Sequence, residues 1–140
     1  FPHPAMVAFD APSREEAACD RPRSNIPQQA LALLNDPEFV EAARVFGQKA
    51  LAEGGKDDST RIAWAFERAT GRKPNEKEAP LLAALLAKHR TDFAAKPAEA
   101  KALLAIGDTP APNDAKPEEV AAWTNVCRVI LNLHETITRQ

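Results

Sequence analysis

Tyrosine is absent from this chain, and valine, isoleucine and threonine together are outnumbered by alanine and leucine. That balance leaves little material for a sheet and favours helix. An excess of charge of either sign is missing too. The 18 basic and 20 acidic residues leave a net charge of −2, which argues against a general nucleic-acid binder. The longest uncharged apolar runs fall far short of the ~20 residues of a membrane span. No internal repeat, low-complexity tract or sustained heptad pattern is found. There is no signal-peptide pattern, and a start on Phe1 rather than methionine predicts a piece cut from something longer. Neither cysteine, Cys19 or Cys127, belongs to the Cys-x-x-Cys-His motif of covalent haem attachment. His3, His89 and His134 have no histidine or cysteine at ligand spacing, so no metal site is expected.

What is present describes an ordinary globular domain, 44% apolar and 27% charged. A chain of 140 residues can bury roughly 68–70% of its unfolded surface. Its 12 prolines would contradict a helical reading if scattered, but most stand at boundaries. Residues 1–23, with Pro2, Pro4, Pro12 and Pro22, read as an extended N-terminal arm with at most one helical turn near Arg14–Ala18. Residues 24–140 read as the helical domain. A first helix is expected after Asn25, with Pro27 in its first turn and Asn35 at its end. Asp36 then caps a second, with Pro37 at its first position and Gly54–Gly55 at its end. A third runs from near Ser59 to Gly71. Asn75 and Glu78 form a capping box for a fourth, in which Pro80 removes one early backbone bond. A short helix from about Pro97 to Ile106 stops at Gly107, and DTPAPNDAK is a loop. The last helix starts near Pro117 and carries His134 and Ile137 on its apolar face. The fold class is therefore all-α, a compact bundle of about six helices. Phe39, Phe46, Ile62, Phe66, Leu82, Leu86, Trp123, Cys127 and Ile130 are expected to share one core.

The stretches FDAPSREEAACDRPRSNIPQQALALLNDPEFVEAAR, RIAWAFERATGRKPNEKE, LLAIGD and AAWTNVCRVILNLHETITRQ resemble, in that order, the C-terminal part of a large planctomycete-type family, domain of unknown function 1553. The resemblance implies an extracytoplasmic setting, at the end of a long protein that often carries a cytochrome c module. It implies no established reaction. The chain departs from the pattern at Ile26, where a capping threonine is usual, so Asn25 takes over the cap and Gln29 remains. His134, Glu135 and Thr136 replace an aspartate-glutamate-phenylalanine run, and Cys127 stands where small apolar residues are usual. These departures weaken any assignment of a catalytic carboxylate to this end.

Candidate sites follow from residue chemistry. His3 and Met6 are types that serve as axial haem ligands, but in a proline-rich arm they read as incidental. No cofactor is expected in this chain, and any haem belongs to another part of the parent protein. Arg21 and Arg23 would lower the pKa of Cys19, yet no histidine lies nearby in sequence to act as its base. Cys19 and Cys127 could bond to each other in an oxidising compartment, although the apolar helical face around Cys127 favours a buried free thiol. The sharpest constellation is Arg14, Arg21 and Arg23 ahead of Asn25 and Gln29. Guanidinium forks beside a helix N-terminus suit a carboxylate, sulfate or phosphate. Against this stands pairing of the arginines with Asp10, Glu15, Glu16 or Asp20, or with an upstream domain, and that pairing is the favoured reading.

Three functions stay open at this point: a non-catalytic C-terminal module that packs on and positions the rest of its protein; part of an enzyme acting on an anionic or sulfated polysaccharide; and a protein–protein interaction module. The absence of a catalytic motif favours the first.

Overall fold

The computed structural model describes residues 27–110 and 115–137. The expected arm over 1–23, the cap at Asn25 and the middle of the DTPAPNDAK loop lie outside these residues. Seven helices follow one another: α1 (Pro27–Asn35), α2 (Pro37–Glu53), α3 (Asp58–Thr70), α4 (Glu78–Ala95), α5 (Pro97–Leu104), α6 (Pro117–Leu131) and α7 (His134–Ile137). No strand occurs among the described residues, so the all-α expectation holds.

Local chemistry sets the boundaries. Asp36 accepts the Glu38 backbone N–H at 3.0 Å, and Pro37 opens α2 where a missing donor costs nothing. Asp57 accepts the Thr60 N–H at 2.9 Å and the Ser59 hydroxyl at 2.6 Å, which fixes the start of α3. Gly71 closes that helix in the left-handed region, φ 82, where a side chain would be strained. The Asn75–Glu78 box forms in both directions. Asn75 Oδ1 accepts the Glu78 N–H at 2.9 Å, and Glu78 Oε2 accepts the Asn75 N–H at 2.8 Å. Pro80 has no N–H to return to the Glu76 carbonyl, and regular α-helix begins only at Glu78.

The last helix is shorter than the sequence pattern predicts. Asn132, a weak helix former, caps α6, and the Thr136 hydroxyl donates to the Ile130 carbonyl at 2.8 Å. The chain turns there and resumes as α7. His134 consequently lies exposed on α7 rather than on the apolar face of a continuous helix.

α6 is the centre of the bundle. Val120, Ala121, Ala122, Trp123, Thr124, Val126, Cys127 and Ile130 are all buried, which is the signature of a helix surrounded on several sides. α2, α3, α4 and α5 pack around it. Ile62, Phe66, Leu82, Leu86, Trp123 and Ile130 join one apolar cluster, with Phe46 packed on its margin. Cys127 is buried beside that cluster rather than in it, and Phe39 is only half-buried. α2 crosses α6 at Gly47, where an added Cβ would stand 3.1 Å from the Trp123 carbonyl carbon and 3.2 Å from the Thr124 nitrogen. Glycine is what lets the two backbones approach.

Candidate functional site

Three polar constellations organise the described residues, each built on an arginine. The first is Arg90 of α4, which forks between two carboxylates. Its Nε donates to Glu119 Oε2 at 2.8 Å and its Nη2 to Glu119 Oε1 at 2.5 Å. Nη1 and Nη2 also reach both oxygens of Asp58. Glu119 accepts the Trp123 indole N–H at 3.0 Å as well. One guanidinium therefore ties the starts of α3 and α6 to the middle of α4.

The second joins the α3–α4 turn to α7. Arg72 donates to Glu78 at 2.7 and 2.8 Å and to Glu135 at 2.5 and 2.8 Å. Its guanidinium lies 4.9 Å from the centroid of the Phe66 ring, a cation–π distance. Glu135, the carboxylate in the run that departs from the family pattern, is thus held in an ion pair.

In the third, Glu41 accepts the backbone N–H groups of Asp108 and Thr109 at 2.8 and 3.0 Å. Arg44, buried on the same face of α2, donates to the Thr109 carbonyl at 2.5 Å. Gly107 turns at φ 98, and a Cβ there would fall 2.1 Å from Glu41 Oε2. The LLAIGD stretch is latched to α2 in this way. Arg44 Nε and Nη1 are buried without a hydrogen-bond partner.

The electrostatics follow these contacts. Hydrogen bonds from Arg72, then from the Asn75 backbone, bring the Glu78 carboxyl down to about 2. Arg72 lowers Glu135, and Arg90 lowers Asp58. Thr109, followed by the Asp108 N–H, does the same for Glu41. Burial pushes the Cys127 thiol up to about 12, and Cys127 is a free cysteine. Burial also lowers His89, against the opposing charge of Asp92. A general acid or base works best with a pKa near the operating pH. The four carboxylates are moved away from that range, and the thiol is held protonated. Their arrangement suits holding helices together. Among the described residues no group of three or more His, Cys, Asp or Glu side chains is placed to hold a metal ion, and no helix is long and apolar enough to cross a membrane.

Of the residues singled out by the sequence, Arg14, Arg21, Arg23 and Asn25 lie outside the described part, as do His3, Met6 and Cys19. Gln29 is half-buried in the first turn of α1. The sequence reading missed Arg44, Arg72 and Arg90. Their partners lie as many as 65 positions away in the sequence, as for Arg44 and Thr109, so no local pattern pairs most of them. Only Glu78, at the third position of a capping box, gave a signal.

A model of the family PSD1: protein of unknown function (DUF1553) matches residues 1–86. The chain belongs to this family. No curated protein and no solved structure matches it. The match to DUF1553 ends within α4, so it takes in Glu41, Arg44, Arg72 and Glu78 and stops short of Arg90, Glu119 and Glu135.

Proposed function

We propose that this DUF1553 chain is a non-catalytic helical module, at the C-terminal end of a large extracytoplasmic, cytochrome-c-associated protein, that packs on and positions the rest of that protein. The observation that carries the reading is α1. None of its nine residues is buried, and Leu31 is 57% exposed. α1 packs on α2 and α6 through part of its surface, with Leu33 and Leu34 half-buried; a helix of this length is marginal in water and gains from further apolar contact on its open side. Leu31 is the apolar side chain left open for such contact with the rest of the parent protein. The ion pairs of Arg72 and Arg90 support the same reading, because they join helices and, among the described residues, leave no convergent acid and base.

In this reading Arg21 and Arg23 clamp the approach to α1 through acidic side chains or backbone carbonyls. Replacing both by glutamine in the intact parent protein tests it. The clamp lowers the melting temperature of the parent and leaves its affinity for sulfated oligosaccharides unchanged. Unchanged melting with loss of salt-sensitive glycan binding would overturn it in favour of the polysaccharide enzyme.

A further inference from the structure

The ion pairs of the described residues go to Arg44, Arg72, Arg90 and Lys96. Arg61 and Arg68, both on α3, form none, yet both are held in place. Arg68 lies over the Trp64 ring, its guanidinium carbon 5.6 Å from the centroid. Trp64 in turn rests on Phe46 of α2, with ring centroids 5.9 Å apart. Arg61 donates from Nε to the Gly55 carbonyl at 3.1 Å. Neither contact is a hydrogen bond from Nη1 or Nη2. Stacking engages the face of a guanidinium and leaves its in-plane N–H groups open, and the bond from Nε leaves the far end of the Arg61 fork open as well. Arg68 is exposed, and Arg61, Trp64 and Phe46 are half-buried. Positions 61, 64 and 68 fall at i, i+3 and i+7, along one side of the helix, so the surface reads guanidinium, indole, guanidinium. Neighbouring carboxylates do not close this arrangement. Asp58 feels the charge of Arg61 but is bonded to Arg90, and Glu67 falls off the line of 61, 64 and 68.

We propose that this side of α3 is a docking site for an acidic polypeptide segment. Arg61 and Arg68 each take a carboxylate, and an apolar side chain between the two carboxylates lies against the Trp64–Phe46 pair. Complementarity of charge selects this occupant. A planar fork takes a carboxylate through two parallel hydrogen bonds, and a fork already held by an indole or a backbone carbonyl loses little further freedom on binding. Spacing describes the segment. From Arg61 to Arg68 α3 advances about 10 Å. That matches carboxylates at i and i+7 of a helix lying alongside, or at i and i+3 of an extended strand. The aromatic pair between the guanidiniums favours polypeptide over a sulfated glycan, because a polypeptide supplies an apolar side chain between its acidic groups. Trp and Arg are also enriched among the residues that anchor protein interfaces. The site lies on α3 and does not rest on the proposed contact at α1.

Titration of the isotope-labelled 140-residue chain, read at the Trp64 indole N–H resonance, tests this. The probe is an alanine-based helical peptide with glutamates at i and i+7 and leucines at i+3 and i+4. It should shift the Trp64 resonance saturably and leave in place that of Trp123, which is buried and bonded to Glu119. Glutamine in place of both peptide glutamates should weaken binding about tenfold or more, the range of losing charge-assisted hydrogen bonds. Arg68→Gln gives up no hydrogen bond of the fold, so it should weaken binding about tenfold with little change in melting temperature. Arg68→Lys keeps the charge without the stacked fork and should recover little of the lost affinity. Absence of a saturable shift, equal binding of the glutamine peptide, or unchanged binding by Arg68→Gln overturns the site. Tighter binding of chondroitin sulfate than of the peptide at Trp64 overturns it in favour of a glycan.

Discussion

Gly47 offers a test in which two effects of opposite sign compete. Glycine inside a helix costs about 1 kcal/mol relative to alanine, so on local grounds Gly47→Ala should stabilise α2. The crossing opposes this. The new Cβ would meet the Trp123 carbonyl carbon at 3.1 Å, the Thr124 nitrogen at 3.2 Å and Trp123 Cβ at 3.3 Å. None of these atoms can swing away by changing rotamer. The whole of α6 would have to shift, and it is enclosed by α2, α3, α4 and α5. Overpacking of this kind costs about 1–3 kcal/mol. Subtracting the propensity gain leaves a net loss of about 1 kcal/mol for alanine, and Gly47→Leu should lose several times that. With a urea slope of about 2 kcal/mol/M, the alanine midpoint should fall by about 0.5 M. A Gly47→Ala chain as stable as the parent, or more stable, would refute the argument that the close crossing is rigid.

Other outcomes follow from the same contacts. Phe66→Ala, in the main cluster and beneath the Arg72 guanidinium, should cost about 3–5 kcal/mol in denaturant melts; a loss below about 1 kcal/mol would place that face outside the core. The lowered carboxyls of Glu41, Asp58, Glu78 and Glu135 contribute stability that is complete above the ordinary carboxylate pKa of about 4. It is lost as pH falls through their folded values, toward about 2 for Glu78. Thermal midpoints should therefore be level from about pH 5 to 7 and drop between about pH 4 and 2; a level profile down to pH 2.5 would contradict the ion-pair assignments. In a Cys19→Ser chain, Cys127 should resist iodoacetamide in the folded state at pH 8 and react after unfolding, since the protonated buried thiol is a poor nucleophile. Rapid labelling of the folded chain would show that α6 opens.

Helix positions were legible because their signals are local. Asp36–Pro37, Asn75 with Glu78, and Gly71 each act over three or four residues, and each stands at a helix boundary. The end of α6 was not legible, because apolar spacing continues through Ile137 while the break depends on Asn132 and on a Thr136 hydroxyl reaching back to Ile130. The core list largely matched, since spacing along a helix selects the inward face. Phe39 shows the limit, being placed correctly on α2 but only half-buried. Site chemistry was least legible. Arg90 meets Asp58 and Glu119 only after three helices have packed, and the α2–α6 crossing at Gly47 was not anticipated from the sequence.

The central position of α6 bears on how the molecule comes into being. On a ribosome the chain emerges from its N-terminal side, so α2, α3, α4 and α5 are all made before the helix they enclose. Until Val120, Trp123, Val126 and Ile130 appear, the partner surfaces at Ile62, Phe66, Leu82 and Leu86 have no common centre to close around. The nascent bundle must carry these surfaces open to water, in the state most exposed to chaperones and to aggregation. Closure then arrives late and nearly at once, when α6 is released and inserts among helices already formed. A stop codon before Pro117 would remove the helix around which the bundle is built while leaving most of the chain intact, and the truncated product would belong to quality control rather than to a smaller folded domain.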